Sequence, residues 1–450
     1  MREDFFSTIA EIIKYGGSTF AALVAMSIYT ATDGFFIGNW IGVDGLEAMA
    51  LIFPIVMIFG AIGTLFETGG SAVVSEKIGV GEKSLAEKII RTNYLCAAVI
   101  GIIVAVVGNI IIEPLLMLFV DTPDEQHVIN LAIEFLRISF CGLPFLIIVY
   151  MTGAFMRCID KPAHVIYLIG STVLLNIILD ALFIIVFGWG MWGAALATML
   201  AQISGTVIVF WYFKYSRQKF SSSSGFSSLE YIFREIRIGA GFAVATVMTA
   251  FIEYFLNAVV LSYDAASLLA MVTVSNIILT FVFLPLNGLD TGVQPLISRL
   301  YAAKNERHCL RVMRYNFFLT AILTFAIYAV LMIFTEELTR IFLNSNEPIT
   351  PEMLTFLRAM FVLQPFVGLY TWLSGIMAAL EDEWRNLIVS LVPLFVQVPL
   401  IWLLPKFLPI EYVSLNYSIN DVAEALVAFV LIRSFLKEKK LSFRKIFYSW

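Results

Sequence analysis

Residues 67–79 read ETGGSAVVSEKIG, and residues 290–302, which lie 223 positions further on, read DTGVQPLISRLYA. The same offset aligns IIRTN at 89–93 with VMRYN at 312–316. The matches include loop residues as well as leucine and isoleucine, so a chance likeness between two apolar helices does not explain them. The register therefore indicates that the chain contains two copies of one unit.

Long apolar stretches surround these matches. The 450-residue chain is 60% hydrophobic and 14% charged, whereas a soluble domain averages about 25% charged residues. A helix needs about 20 apolar residues to cross a hydrocarbon core ~30 Å thick. We therefore predict an all-α membrane protein of twelve transmembrane helices, at 15–37, 48–74, 93–119, 132–156, 164–187, 191–213, 239–262, 267–297, 315–335, 353–380, 386–404 and 416–436.

The duplication divides these twelve spans into two sets of six. Because six is an even number, both copies should cross the membrane in the same orientation, as in transporters built from parallel repeats. We expect residues 1–220 to form an N-terminal six-helix bundle and residues 238–450 a C-terminal six-helix bundle. A cytoplasmic linker at 221–237, which begins with SSSSG, would join the two pseudo-symmetric bundles, and the bundles would form a V around a central cleft.

Basic residues mark one side of the membrane. The opposite loops hold only Arg340 and Lys406, with a few more arginines just inside helix starts. Basic loops remain in the cytoplasm. The basic loops and the basic tail lie at 77–91, 157–161, 214–237, 299–314 and 433–445. We therefore predict a multi-pass protein of a bacterial inner membrane, with these segments and both termini in the cytoplasm.

The remaining composition argues against several other classes of protein. The four cysteines and three histidines are scattered along the chain and lack the spacing of a disulfide framework or a metal site. The chain contains no GxxxxGK[ST] nucleotide-binding loop. We expect no enzymatic activity, no cofactor other than H+ or Na+ as coupling ion, and no nucleic-acid partner. The expected partners are the lipid bilayer and small organic cations, and the expected state is a monomer.

Four polar residues of the first half lie inside predicted spans: Asp33, Asn176, Asp180 and Thr198. A charged side chain at the centre of a bilayer costs at least about 2.5–3.5 kcal/mol, so such residues are candidates for function. Asn176 and Asp180 are four residues apart and share one helix face. We interpret the four as a proton- or ion-coupling site, with Na+ possible at Asp33 and Asp180. The alternative is that they only form hydrogen bonds between helices.

A second group consists of Glu253, Asn257 and Gln364, in the seventh and tenth predicted spans. We assign these residues to a substrate or second-lobe cavity, although Glu253 could equally be structural. Asp421 and Glu424 are expected to begin the last helix, where acidic side chains suit the positive end of the helix dipole.

Three stretches resemble the multidrug and toxic compound extrusion (MATE) family: DGFFIGNWIGVDGLEAMA (33–50), GGSAVVSEKIGVGEKSLAEK (69–88) and NIILDALFIIVFGWGMWGAALATMLAQ (176–202). The resemblance covers essentially the whole chain, including the duplication. The third stretch is the most specific, and it is similar to the branch that contains the DNA-damage-inducible protein F and the staphylococcal-type exporters.

The resemblance also carries expectations for individual residues. In that branch, an aspartate of the first helix, an asparagine and an aspartate of the fifth and a threonine of the sixth form a hydrogen-bonded proton site. These match the four first-half residues named above. The sodium-coupled branch is implied to use a seventh-helix glutamate, which Glu253 matches, and a tenth-helix aspartate. The stretch 359–380 contains no acid and offers only Gln364, so a second-half sodium site looks incomplete.

The expected function is secondary active export of small organic, mainly cationic compounds in exchange for H+ or Na+. Carboxylates together with a 14% content of aromatic residues suit amphipathic cations. The alternative is a flippase for a lipid-linked oligosaccharide within the same superfamily. A pyrophosphate headgroup would require several Arg or Lys side chains facing the cavity. The predicted spans contain almost none, which counts against the flippase.

Overall fold

The structure is a computed structural model. It describes residues 2–79, 81–117, 123–158, 162–215, 225–263, 265–344, 347–380, 383–439 and 446–447. All regular secondary structure in these ranges is helical. The serine-rich part of the predicted linker (221–224), residues 159–161 and residues 440–445 of the basic tail lie outside the described residues.

Most of the helices follow one another after short connections. Two π-helical turns, Ile37–Ile41 and Ala181–Val186, follow the first and fifth helices, and a 3-10 turn, Ile410–Ser414, precedes the last one. The α-helices are α1 (Arg2–Phe36), α2 (Val43–Gly79), α3 (Lys83–Leu116), α4 (Pro123–Cys158), α5 (Pro162–Asp180), α6 (Gly190–Tyr215), α7 (Leu229–Ser262), α8 (Ala266–Ala302), α9 (Glu306–Ile333), α10 (Thr335–Phe342), α11 (Pro351–Phe361), α12 (Pro365–Ala379), α13 (Glu383–Phe407) and α14 (Leu415–Glu438).

Eleven segments of the described chain are long and apolar enough to cross a membrane, and they coincide with the first eleven predicted spans. The tenth of these, Pro351–Ala379, consists of α11 and α12 together. Helix α14 lies where the twelfth span is predicted. It is more polar because its first half contains Asn416, Asn420, Asp421 and Glu424, all of which are buried in the protein. Lipid therefore does not have to solvate them, and the structure is consistent with the predicted twelve helices.

The chain forms two compact units. The first contains residues 1–30, 258–341 and 345–450, and the second contains residues 31–257 with the short segment 342–344. We call them the C-unit and the N-unit, after the half of the chain that supplies most of each. The boundary between the predicted bundles lies at the 221–237 linker, whereas boundaries between the compact units lie inside α1 and α7. The predicted boundaries describe the two copies of the repeat and remain a prediction.

The length of α1 and α7 explains why each of these helices contributes residues to both compact units. At 1.5 Å per residue, helices of 35 and 34 residues are each about 50 Å long and extend well beyond a ~30 Å core. The N-terminal part of α1 packs against α8, where Gly16 contacts Leu289 within the C-unit. The N-terminal part of α7 packs against α2, where Gly239 contacts Leu65 within the N-unit.

These two contacts are repeat counterparts. Gly239 corresponds to Gly16 at the offset of the sequence repeat, and Leu289 corresponds to Leu65 to within one position of that offset. In both cases a glycine allows one helix backbone to approach its neighbour closely. A Cβ atom at Gly239 would lie 2.2 Å from the Leu65 carbonyl oxygen. The duplication seen in the sequence is therefore also present in the helix packing.

A buried amide–carboxylate hydrogen bond reinforces each unit. In the N-unit, Asn93 Nδ2 donates to Glu235 Oε1 at 3.1 Å. In the C-unit its repeat counterpart, Asn316, donates to Asp290 Oδ1 at 2.7 Å, and Thr320 donates to the same oxygen at 3.2 Å. Glu235 precedes the seventh span, Ala243–Ser262. Burial raises its pKa to about 7, and the Asn93 amide only partly opposes this effect.

Gly239→Ala tests the packing of α7 on α2. We expect the substitution to lower the free energy of unfolding by about 1–3 kcal/mol, because the new methyl group clashes with a helix backbone that cannot move freely. Thermal unfolding of the purified protein in detergent measures the effect.

Gly60→Ala in α2 is the matched control, because a Cβ atom there meets nothing within 4 Å. Alanine at this position should leave the protein equally stable or stabilise it by up to ~1 kcal/mol. Equal melting temperatures for the two variants would contradict a tight contact at Gly239.

Candidate functional site

The structure brings together the four polar residues predicted in the first half of the chain. Asp33 lies near the end of α1, Asn176 and Asp180 lie in the last turns of α5, and Thr198 lies in α6. All four belong to the N-unit. Asn176 Nδ2 donates to Thr198 Oγ1 at 3.5 Å. The Asp33 carboxyl group contacts the side chains of both Asn176 and Asp180.

A π-helical turn follows each aspartate of this site. Ile37–Ile41 begins four residues after Asp33, and Ala181–Val186 begins directly after Asp180. The two turns pack against each other and against α6. A π-turn contains one residue more than an α-turn, so it changes the direction in which neighbouring side chains project, and such turns are frequent at functional sites. We found no sequence signal that predicts either turn.

The first π-turn is held from outside by the segment 342–344. Asn344 Nδ2 donates to the Asn39 carbonyl oxygen at 3.1 Å. Gly38 lies so close to the Phe342 backbone that a Cβ atom there would be 1.7 Å from the carbonyl oxygen. A glycine is therefore required at position 38, and the end of α10 fixes the backbone next to Asp33.

The site has more hydrogen-bond acceptors than donors. Asn176 and Asp180 are fully buried. Asp33 Oδ1, Asn176 Oδ1 and both carboxylate oxygens of Asp180 are also buried and accept no hydrogen bond from the described residues. Two ionised carboxyl groups in contact repel each other, and buried acceptors are costly when unsatisfied. A proton or a small cation bound here would relieve both costs, so the arrangement can bind either one.

Glu253 and Asn257 lie one helical turn apart on α7 and are buried. Asn257 Nδ2 donates to the Ala50 carbonyl oxygen of α2 at 2.6 Å, which gives its amide group a role in holding the two helices together. Both residues belong to the N-unit, the unit that contains Asp33.

Gln364 belongs to the C-unit and is buried between α11 and α12. Its Nε2 atom donates to Asp421 Oδ2 of α14 at 3.3 Å. Gln364 of the tenth span is therefore paired with an acid of the twelfth. Sequence reasoning missed this pair. The sequence feature that could have revealed it is the acid Asp421 inside an apolar span, together with the polar residue Gln364 inside another span.

The expectation that Asp421 and Glu424 begin the last helix is wrong. Helix α14 begins at Leu415, and its first turn contains no acidic residue. The two acids therefore lie further along the helix, too far from its end to interact strongly with the positive end of the helix dipole. The 3-10 turn at Ile410–Ser414 leads directly into α14, which places the start of the helix before these acids.

Comparison with known proteins identifies the same family twice in the chain. The MatE family model matches residues 19–182 and again residues 242–403. The starts of the two matches, at positions 19 and 242, are separated by the offset of the sequence repeat. One family model therefore describes both halves.

The relatives are named as multidrug resistance proteins. The chain is 22% identical over 441 residues to "Probable multidrug resistance protein NorM" of Thermotoga maritima, a match that covers 95% of this chain and 90% of the relative. It is 22% identical over 320 residues to "Probable multidrug resistance protein YoeA" of Bacillus subtilis, which covers 69% of this chain and 68% of the relative.

A solved structure shares the fold. It is a multidrug resistance MATE family transporter of the MOP superfamily in an inward-facing conformation, with a TM-score of 0.83 and 19% sequence identity. The match covers 92% of this chain and 95% of that one. This likeness shows that the chain has the two-lobed, all-helical fold of these transporters.

Asp180→Asn tests the excess of acceptors at the site. The new amide can donate to the Asp33 carboxylate, which accepts too few hydrogen bonds. We expect an unchanged or higher melting temperature in detergent. Asn176→Leu should lower the melting temperature, because the substitution removes the donor to Thr198. We expect the free energy of unfolding to fall by about 1 kcal/mol or more. An equal loss in both variants would mean that the carboxyl pair itself holds the helices together.

Proposed function

Because the chain belongs to the MatE family of multi-pass membrane transporters, we propose that it is a secondary active antiporter that exports small organic, mainly cationic compounds in exchange for H+ or Na+. The observation that supports this proposal most directly is the buried contact between Asp33 and Asp180. Asn176 and Thr198 complete the proposed coupling site.

The chemistry of this contact suits coupled exchange. Asp33 and Asp180 attract a cation when they are ionised, and uptake of a proton or Na+ removes part of that charge. Binding of the coupling ion and binding of a cationic substrate then compete, and such differential affinity is what couples two gradients. Asn176 and Thr198 can donate hydrogen bonds to the carboxylates.

The acidic character of the N-unit supports a cationic substrate. Glu253 is a further buried carboxyl group in the unit that contains Asp33 and Asp180. A lipid-linked oligosaccharide would present a pyrophosphate, which requires Arg or Lys side chains. The predicted spans are poor in both, so we favour export of organic cations over the flippase alternative.

We also propose that both termini lie in the cytoplasm and that the protein acts as a monomer. The orientation rests on the basic residues of alternate loops. The DNA-damage-inducible protein F-like branch remains a prediction from the 176–202 stretch.

Asp33→Asn and Asp180→Asn should each reduce coupled export to the level of empty vesicles. An amide carries no negative charge, so it can neither bind the proton nor neutralise Na+. The assay uses proteoliposomes loaded with a fluorescent organic cation, with proton and sodium gradients imposed separately. Glu253→Gln should cause a smaller loss if the coupling site is the Asp33–Asp180 pair.

Glu134→Gln is the matched control, because Glu134 is an exposed acid on α4 and should be replaceable without loss of transport. A double variant, Asp33→Asn with Asp180→Asn, that still exports against a gradient would reduce these residues to a structural role. Glu253 would then be the residue to test.

Cysteine labelling tests the proposed orientation. A cysteine at the exposed position Ser228, in the basic central loop, should react with a membrane-impermeant maleimide only after cells are permeabilised. A cysteine at the exposed position Leu408, between α13 and α14, should react in intact cells. The native cysteines are first replaced by serine or alanine. The reverse labelling pattern would overturn the orientation.

A further inference from the structure

One face of the start of α7 packs against the N-unit. We call residues 227–239 the initial segment, which consists of the two residues before α7 and the first three turns of the helix. Ile232, Glu235 and Gly239 follow one another at spacings of three and four residues, so they share one helix face, and all three are buried. A Cβ atom at Gly69 of α2 would lie only 2.1 Å from the Glu235 carbonyl oxygen. The initial segment therefore lies backbone to backbone against α2.

Polar contacts hold the initial segment at two further points. The Ser227 backbone N–H and hydroxyl group both lie close to Thr92 Oγ1 of α3, at 2.9 and 3.0 Å. The Arg234 guanidinium donates to both carboxylate oxygens of Glu76 in α2. Arg234 holds the pKa of Glu76 below its usual range, so this ion pair keeps its charges between pH 5 and pH 8. Neither contact changes with protonation near neutral pH.

Glu235 is the titratable group in the middle of the buried face. Its side chain has no exposed surface, and it accepts a hydrogen bond from Asn93 Nδ2 at 3.1 Å. Its second oxygen, Oε2, is buried and accepts no hydrogen bond from the described residues. No Lys, Arg or His in the described part of the chain pairs with it. A buried carboxylate with one donor and no counter-charge is costly, whereas a neutral carboxyl group is not.

The surrounding titratable groups do not provide that counter-charge. On α2, α3 and α7 they are Glu67, Glu76, Lys77, Arg91, Tyr94, Cys96, Tyr231, Arg234 and Arg237. Arg234 is paired with Glu76, Lys77 lies 3.3 Å from Glu82, and Arg237 is exposed. The net effect is that burial raises the pKa of Glu235 to about 7, and only the Asn93 hydrogen bond opposes it. Packing of the initial segment therefore favours the neutral form.

The same linkage makes packing weaker as the pH rises. The ordinary pKa of a glutamate is 4.5, and the pKa of the packed Glu235 is about 7. Below pH 4.5 the group is neutral in both positions of the segment, so packing is strongest there. Between the two values, the equilibrium moves toward release by up to about tenfold for each pH unit. Above pH 7 the group is ionised in both positions, and little further change is expected.

The other face of the initial segment is uncovered by the described residues. Phe226, which directly precedes the segment, is 63% exposed, and Leu229 and Phe233 are 66% and 70% exposed. The segment can therefore leave α2 and α3 without displacing a second layer of described residues. Helix α7 also continues beyond the N-unit, because residues 258–262 belong to the C-unit. Release would thus weaken the attachment of the N-unit to a helix that both units share.

We propose that the initial segment of α7 is a cytoplasmic latch on the N-unit, and that the protonation state of Glu235 controls it. Neutral Glu235 keeps the segment packed on α2 and α3, and ionised Glu235 favours its release. The role in transport rests on the orientation and the H+ antiport proposed above. Protons delivered to the cytoplasm by export would then keep the latch closed, which limits further proton entry when the cytoplasm becomes acidic.

Maleimide labelling of a buried cysteine tests the latch. The reporter is Ile232→Cys, because this side chain is only 8% exposed while the segment is packed. The full-length protein, with its native cysteines replaced, is purified into lipid nanodiscs so that both faces are accessible. The labelling rate is divided by that of a cysteine at the exposed position Ser228, which corrects for the pH dependence of thiol reactivity. We expect this ratio to rise by about tenfold or more from pH 5.5 to pH 7.5.

Three variants in the reporter background identify the group responsible. Glu235→Gln is neutral at every pH, so its ratio should stay low and independent of pH. Glu230→Gln is the matched control, because it removes an exposed acid of the same segment and should leave the pH dependence unchanged. Asn93→Leu removes the donor that favours the ionised form, so the ratio should level off at a higher pH. This variant also serves if Glu235→Gln does not fold.

The proposal is overturned if the ratio is independent of pH while Glu235 is present, or if Glu235→Gln keeps the pH dependence. An unchanged levelling-off pH in Asn93→Leu would equally contradict control by Glu235. Labelling reports the position of the initial segment whether or not the protein exports anything. A failure of coupled export in proteoliposomes would therefore contradict the antiport and leave the latch intact.

Discussion

The hydrocarbon core of a membrane can neither donate nor accept a hydrogen bond, so a polar group in a span must find its partner within the protein. This constraint explains the position of almost every polar side chain described above. Ser418 of α14 donates to a carbonyl oxygen at the end of α11, and Asn257 donates to a carbonyl oxygen of α2. Asp33 and Asp180 are left with too few donors among the described residues, and they are conspicuous because lipid cannot satisfy them.

The duplication provides one scaffold twice, and the polar side chains then differ between the copies. Asn93 and Asn316 are equivalent, yet one binds a glutamate of α7 and the other an aspartate of α8. The N-unit places its carboxyl pair on α1 and α5, whereas the C-unit places its pair on α14. Such differences are expected because helix packing depends on size and shape along a whole face, whereas a polar site depends on a few side chains.

The spans, their number and the repeat could be predicted from the sequence because hydrophobic length and an extended register are properties of whole segments. The grouping of Asp33 with Asn176 and Asp180 could also be predicted, from rare polar residues in apolar helices. The π-turns after Asp33 and Asp180 could not, because a single extra residue in a turn does not change the apolar pattern. The break at 362–364 was also hidden, since other span prolines, such as Pro144, lie in continuous helices.

The passage of α7 through the N-unit affects how the protein is made. Chains emerge from the ribosome N-terminus first, and α7 begins only at Leu229. Until then, the surface of α2 around Leu65 has no helix to cover it, although the six preceding helices are already synthesised. The N-unit therefore cannot be completed as an independent folding unit, as domains of many large proteins are. Its assembly must wait for the first helix of the second repeat.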